Sequence, residues 1–149
     1  MLNIHFYFRF REAILSGQKI QTCRHYGSRR PPAFYYGEAK LVINPYNKNR
    51  EVLKNVELRN CIRFRIDVKH RRIQLWNRVL TTEGNAEFAK NEGFDTEEEF
   101  WFYFENHKIS QGYCFTWAKT KYRSMLGSEI VDNILTTDKI LDEDENNQQ

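Results

Sequence analysis

A short segment from Gly17 to Arg24, with the sequence GQKIQTCR, places an amine, a hydroxyl and a guanidinium close together on Lys19, Thr22 and Arg24. A threonine hydroxyl becomes a nucleophile only when a base removes its proton. A lysine amine can be that base when burial or a neighbouring cation lowers its pKa from about 10.4. The segment therefore predicts either a site for acyl transfer or a basic strand edge that faces solvent.

The spacing within this segment bears on the choice between the two interpretations. Lys19 and Thr22 are three residues apart, so on an ideal strand their side chains would point to opposite faces. They could converge only if the strand began irregularly or contained a bulge. Taken alone, the residues favour the solvated strand edge.

The elements that must position this segment follow from the hydrophobic pattern. Apolar side chains alternate over residues 4 to 10, which predicts a strand, and residues 11 to 16 predict a short helix that ends at Gly17. Residues 19 to 24 are then expected to be extended. Further strands are predicted at 39 to 43, 62 to 68 and 112 to 117, with 73 to 76 as the hairpin partner of 62 to 68.

Two helices are predicted between these strands. One begins near Thr82 and ends at Gly93, and the next begins with Asp95, followed three residues later by Glu98 in the arrangement of a capping box. The second helix carries the aromatic stripe Phe100, Trp101 and Phe104, which is expected to be core.

Length and composition indicate one globular domain: the chain has 149 residues, 40% of them hydrophobic and 15% aromatic. No apolar run approaches the roughly 18 residues of a membrane span, so a soluble, cytoplasmic protein without a membrane partner is expected. Cys23, Cys61 and Cys114 are scattered, which argues against a disulfide framework or a zinc ribbon and for a reducing compartment. The four histidines form no set of closely spaced ligand pairs, so no metal site is predicted.

Charge is distributed unevenly along the chain. Residues 1 to 82 carry 17 Lys or Arg against 5 Asp or Glu, whereas the remaining residues carry 6 against 15. A phosphate-bearing partner is therefore plausible for the first half. Three tyrosines there could stack on bases while nearby cations hold phosphates: Tyr35, Tyr36 and Tyr46, beside Arg29, Arg30, Lys48 and Arg50. The alternative is that these tyrosines shield the edge of the sheet. The acidic C-terminal tail is expected to be frayed and could contact a protein partner.

The order of these features resembles the ASCH domain family of the PUA-like superfamily. That family has a G-x-K-T-x-T-x-R segment, a Gly-Asp step into a strand, and a late A-x-x-E-G-F element before an acidic, aromatic helix and a closing strand. The corresponding residues here are Gly17, Lys19, Thr22 and Arg24; Gly37 and Glu38; and Ala89, Glu92, Gly93 and Phe94. Ile20, Cys23 and Glu38 depart from the family pattern, and the lost hydroxyl at position 20 could weaken a polar contact. The resemblance predicts an ASCH-like domain over residues 1 to 118 and a C-terminal extension over 119 to 149.

The resemblance implies an α+β fold, namely a mixed, largely antiparallel β-barrel with short helices packed at its ends. It also implies a basic cleft for RNA or a modified nucleoside and no cofactor. Some small bacterial members are amidohydrolases that deacetylate N(4)-acetylcytidine, and their Lys, Thr and Glu correspond to Lys19, Thr22 and Glu92. Arg24 would contact nucleic acid together with the residues of the basic loop that is predicted after it, namely Arg29, Arg30, Tyr35 and Tyr36. The alternatives are a binding module, an amidohydrolase, or an interaction protein that keeps the fold without an active site.

Overall fold

The strands and helices of this protein form a mixed α+β fold, as the sequence predicts. A computed structural model describes residues 2 to 25 and 37 to 131. The strands are β1 Leu2–Phe6, β2 Gln21–Arg24, β3 Gly37–Ile43, β4 Glu51–Leu58, β5 Asn60–Asp67, β6 Arg72–Leu75, β7 Arg78–Leu80, β8 Gln111–Thr116 and β9 Leu126–Ile130. The α-helices are α1 Arg11–Ser16, α2 Thr82–Asn91 and α3 Glu97–Asn106, and short 3-10 helices span Phe8–Phe10 and Tyr122–Met125.

The strands pair into two sheets that share one hydrophobic core. The first has the order β1-β3-β4, with β1 parallel to β3, and the second has the order β2-β8-β5-β6-β7-β9, in which neighbouring strands are antiparallel. Buried side chains from both sheets and from all three α-helices belong to the same cluster. Within residues 2 to 25 and 37 to 131 the pairing yields these two sheets and no closed barrel.

The first strand is shorter than the alternating pattern predicts. It ends at Phe6, where its parallel partner β3 also ends at Ile43, and the chain then turns into the 3-10 helix. Phe8, predicted to be on the buried face, is exposed because the strand ladder has already ended. The predicted helix of residues 11 to 16 is confirmed, and Gly17 ends it in the left-handed conformation with φ of 86°.

The other predicted strands are present as β3, β5, β6 and β8, and Ile66 pairs with Ile73 in the predicted hairpin. Three strands were not predicted: β4, β7 and β9. Strand β4 lacks a clear two-residue period because only Leu53 and Leu58 of its side chains are buried. Strands β7 and β9 are short, and they pair with each other although they are far apart in the chain.

The two predicted helices are confirmed, with a correction at the start of the second. Thr96 is the N-cap of α3 and accepts a hydrogen bond from the backbone N–H of Glu99, so the predicted pair of Asp95 and Glu98 is one residue too early. A threonine hydroxyl is a common N-cap acceptor, which explains the shift. The aromatic stripe on α3 is buried as expected: Phe100, Trp101 and Phe104.

The chain continues to pack against the core beyond Lys119. Tyr122 is fully buried, with its ring 5.4 Å from that of Phe88, and β9 adds a strand to the edge of the larger sheet. The acidic tail from residue 132 onward lies outside the described residues. None of the described helices combines the length and the apolar character that crossing a membrane requires.

Candidate functional site

A cleft of about 710 Å³ opens between the end of β1, the start of β2, the loop after β3 and the end of α3. The four residues that the motifs single out, Lys19, Thr22, Arg24 and Glu92, all line this cleft. Aromatic and imidazole side chains make up much of the remaining wall: His5, Phe6, Tyr7, Phe8, Phe10, His25, Tyr46, Tyr103, Phe104 and His107.

Lys19 and Thr22 share the cleft because the strand begins only after Lys19. The backbone N–H of Lys19 bonds to the carbonyl of Ala13, and that of Ile20 bonds to the carbonyl of Asn91. Regular pairing with β8 starts at Gln21. The opposite-face argument for an ideal strand therefore does not apply to this pair.

Glu92 reaches the same point from the end of α2. The next residue, Gly93, has φ of 104°, and a side-chain carbon there would lie 3.0 Å from Cδ of Lys19. Only glycine combines this backbone conformation with so close an approach. The Glu-Gly step of the sequence motif thus turns the chain and leaves room for the lysine.

Lys19 and Glu92 form a buried ion pair, with side-chain exposures of 2% and 5%. The Lys19 amine donates to the backbone carbonyl of Glu92 at 2.5 Å and lies 3.6 Å from its Oε2. The rings of Phe10 and Phe6 lie 4.5 and 5.5 Å from the same nitrogen. Desolvation lowers the pKa of Lys19, and the charge of Glu92 opposes that shift.

A chain of buried hydrogen bonds fixes the Glu92 carboxylate from its other side. Its Oε1 accepts from Nε2 of Gln21 and from Sγ of Cys23, each at 3.0 Å. Gln21 in turn accepts from the Tyr122 hydroxyl at 2.5 Å, and that oxygen accepts from Nδ2 of Asn91 at 2.9 Å. Sequence reasoning missed these supporting residues because up to 101 positions separate hydrogen-bonded partners.

Thr22 is held by Arg24 rather than by Lys19. Its Oγ1 accepts from Nε of Arg24 at 3.1 Å, while the guanidinium also donates to the carbonyl of His5 at 2.8 Å and lies over the ring of Phe6. No hydrogen bond joins Lys19 to Thr22 within the part of the chain that the structure describes. The Thr22 hydroxyl oxygen therefore points to the Arg24 guanidinium, and the hydroxyl can donate its proton in a hydrogen bond to another group.

The mouth of the cleft carries three exposed aromatic side chains. Tyr7, Phe8 and Tyr46 are 62%, 67% and 88% exposed. Deeper in the wall, Tyr103 stacks on His107 with ring centres 3.9 Å apart, and burial raises the pKa of Tyr103 to about 12. These rings present flat apolar faces to whatever enters the cleft. The sequence singled out Tyr46 as a ring that could stack on a base, whereas the alternating pattern of the first strand did not indicate that Tyr7 and Phe8 line a cleft.

The predicted contacts of the basic loop cannot be placed in this geometry. Arg29, Arg30, Tyr35 and Tyr36 lie outside the described residues. They follow His25, which lines the cleft, and their role in nucleic-acid binding stays a prediction.

Three side chains of types that can hold a metal ion also lie close together at this site. Ligand atoms of Cys23, Glu92 and Cys114 are all within 4.8 Å of one another, and all three residues are buried. Burial raises the pKa of both thiols. The sequence argument against a metal site considered the histidines and the spacing of cysteines along the chain, and it could not see that β2 pairs with β8.

Comparison with known proteins found no family model, no curated protein and no solved structure that matches this chain. The resemblance to ASCH domains therefore rests on the sequence motifs alone.

Proposed function

We propose that this chain is an ASCH-type domain of the PUA-like superfamily and that it binds a nucleoside, free or within RNA, in the cleft. The observation that carries the proposal is the convergence of Lys19, Thr22, Arg24 and Glu92 on one cleft, although about 70 residues separate the first from the last. In this proposal the two sheets together correspond to the PUA-like barrel. The short helices would then lie at its ends.

The chemistry of the cleft suits a planar heterocycle with polar edges. Cations on Lys19 and Arg24 can donate to ring carbonyls, and the Glu92 carboxylate can accept from an exocyclic amine. Exposed rings of Tyr7 and Tyr46 at the mouth can stack on a base. The volume of about 710 Å³ falls within the roughly 300 to 1,000 Å³ typical of small-molecule sites.

The positive charge of the first half of the chain favours a nucleoside within RNA over a free nucleoside as the ligand. The excess of Lys and Arg over residues 1 to 82 would attract phosphates. Arg29 and Arg30 follow the cleft residue His25 by four and five positions in the sequence, so their cations could hold the phosphates next to a base that occupies the cleft.

A second candidate function is deacetylation of N(4)-acetylcytidine. It is favoured by the Thr22 hydroxyl, which Arg24 holds in the same cleft that the buried pair of Lys19 and Glu92 lines. In this reaction the Thr22 oxygen attacks the acetyl carbonyl and the amide nitrogen leaves, protonated, as the amine of cytidine. Water then hydrolyses the acetyl ester and releases acetate. The Lys19 ammonium would first have to lose a proton to solvent and move away from the Glu92 carbonyl, and only then could the neutral amine accept the hydroxyl proton.

Incubation with N(4)-acetylcytidine, followed by chromatography of the nucleosides, tests the second candidate directly. The amidohydrolase proposal expects release of cytidine that Thr22→Val removes, because valine keeps the shape of threonine without its hydroxyl. Fluorescence anisotropy with a labelled single-stranded RNA tests the first proposal in parallel. Binding without turnover would leave a binding module, and neither binding nor turnover would leave an interaction protein.

A further inference from the structure

Two cysteines that are 91 positions apart in the chain lie side by side on neighbouring strands of the larger sheet. Cys23 on β2 pairs directly with Cys114 on β8, and residues that pair directly in an antiparallel sheet project from the same face. Both side chains are buried, and Cys23 donates to Glu92 at 3.0 Å. Two thiols and one carboxylate therefore lie close together, and the two thiols are carried by a regular pair of strands.

We propose that Cys23, Cys114 and Glu92 form a binding site for a thiophilic divalent cation of the Zn²⁺ class at the inner end of the cleft. The ligand types are those that zinc prefers, since thiolate sulfur and carboxylate oxygen both bind it. Nothing in this inference depends on whether the cleft binds a nucleoside.

The separations of the ligand atoms fit such an ion. Zinc lies about 2.3 Å from sulfur and about 2.0 to 2.2 Å from oxygen, so ligand atoms in a tetrahedral site are roughly 3.5 to 3.8 Å apart. Here the three ligand atoms lie within 4.8 Å of one another, and one pair is 3.0 Å apart. Side-chain movements of about 1 Å would bring them to coordination distance without breaking the pairing of β2 with β8.

The charges at the site balance when the cation is bound. Binding releases the two thiol protons to solvent, so two thiolates and the Glu92 carboxylate contribute three negative charges. The divalent ion and the Lys19 ammonium, 3.6 Å from Glu92, contribute three positive charges. A buried group with no net charge avoids the large cost of an unpaired charge in the interior.

The surroundings supply the other requirements of a metal site. Gln21 donates to Glu92 and is itself held by Tyr122, which is the kind of support that orients metal ligands. Cys23 and Glu92 both line the cleft, so an ion has a path from solvent.

Titration of the reduced protein with Co²⁺ tests the proposal, because thiolate-bound tetrahedral cobalt has a sulfur-to-metal charge-transfer band and intense visible bands. We expect these bands to saturate at one ion per chain and to disappear when Zn²⁺ is added. Cys23→Ser and Cys114→Ser should each remove the charge-transfer intensity at least in large part. The matched control is Cys61→Ser, since Cys61 pairs with Phe115, one position along β8, and alternation places it on the opposite face. This control should retain the bands.

The proposal is overturned if saturating Co²⁺ gives no thiolate band, or if the band survives in both Cys23→Ser and Cys114→Ser. Circular dichroism checks that each variant is folded. If neither serine variant folds, alkylation of the wild-type protein with N-ethylmaleimide decides the matter. Because Cys23 and Cys114 are buried, the rate of labelling is followed over hours, long enough for transient opening to expose them. Zn²⁺ should slow the labelling of Cys23 and Cys114 but not that of Cys61, and equal rates with and without Zn²⁺ would refute the site.

Discussion

The hydroxyl of Tyr122 is the central link in the buried hydrogen-bond chain that supports Glu92, and Tyr122→Phe removes that hydroxyl alone. The aromatic ring keeps its place against Phe88, but Gln21 loses a donor and Asn91 loses an acceptor. Both partners are buried. Leaving a buried polar group without its partner costs about 1 to 3 kcal/mol, so for these two groups together we expect the free energy of unfolding to fall by about 2 to 6 kcal/mol.

Urea denaturation followed by tryptophan fluorescence measures this loss, with the slope of the transition checked for constancy. For a chain of this size the melting temperature should fall by roughly 6 to 18 °C. Tyr46→Phe is the matched control, because the Tyr46 side chain is 88% exposed and its loss should change stability by less than about 0.5 kcal/mol. Equal stabilities of the Tyr122 and Tyr46 variants would show that the hydrogen-bond chain does not support the site.

Three further results are expected. Affinity for single-stranded RNA should fall steeply with added salt, because each neutralised phosphate releases counterions; binding that ignores salt would contradict the RNA interpretation. If the protein deacetylates N(4)-acetylcytidine, Lys19→Ala and Thr22→Ala should each abolish most turnover and the double variant should be scarcely worse, whereas multiplied losses would show that the two act separately. Arg11 binds Glu51 through two hydrogen bonds of 3.1 Å and lowers the pKa of that carboxyl. The stabilisation from this ion pair is therefore complete above a pH of about 4.3, the pKa of Glu51 in the unfolded chain, and it is lost as the pH falls through the lower pKa of Glu51 in the folded protein. Arg11→Ala should lower the stability measured in urea at neutral pH, and it should have no effect once Glu51 is protonated.

The local hydrophobic pattern was sufficient to predict an element where one face of that element is buried and the other face is not. The alternation in β5 and the aromatic stripe on α3 predicted those elements directly, and Gly17 marked the end of α1. The pattern failed in β1, because Phe8 continues the alternation after the partner strand has ended. It also failed in β4, where few side chains are buried.

Only part of the candidate site could be predicted from the sequence, because some of its contacts join residues that are far apart in the chain. Lys19, Thr22 and Arg24 are close in the chain, and Glu92 stands in a recognisable Glu-Gly motif. The supporting residues carry no local signal: Tyr122 reaches Gln21 across 101 positions, and the two cysteines meet only through the pairing of β2 with β8. Long-range strand pairing decides these contacts, and a single sequence does not specify it.

Isothermal titration of N(4)-acetylcytidine into the protein at low salt tests the central claim most directly, with cytidine titrated alongside. We predict saturable binding of one nucleoside per chain. It should be lost in Lys19→Met, which fills the same buried space without the charge, and retained in Lys90→Met, since Lys90 is exposed on α2 and does not line the cleft. Absence of binding by the folded wild-type protein, or equal binding by both lysine variants, would contradict a nucleoside site in this cleft.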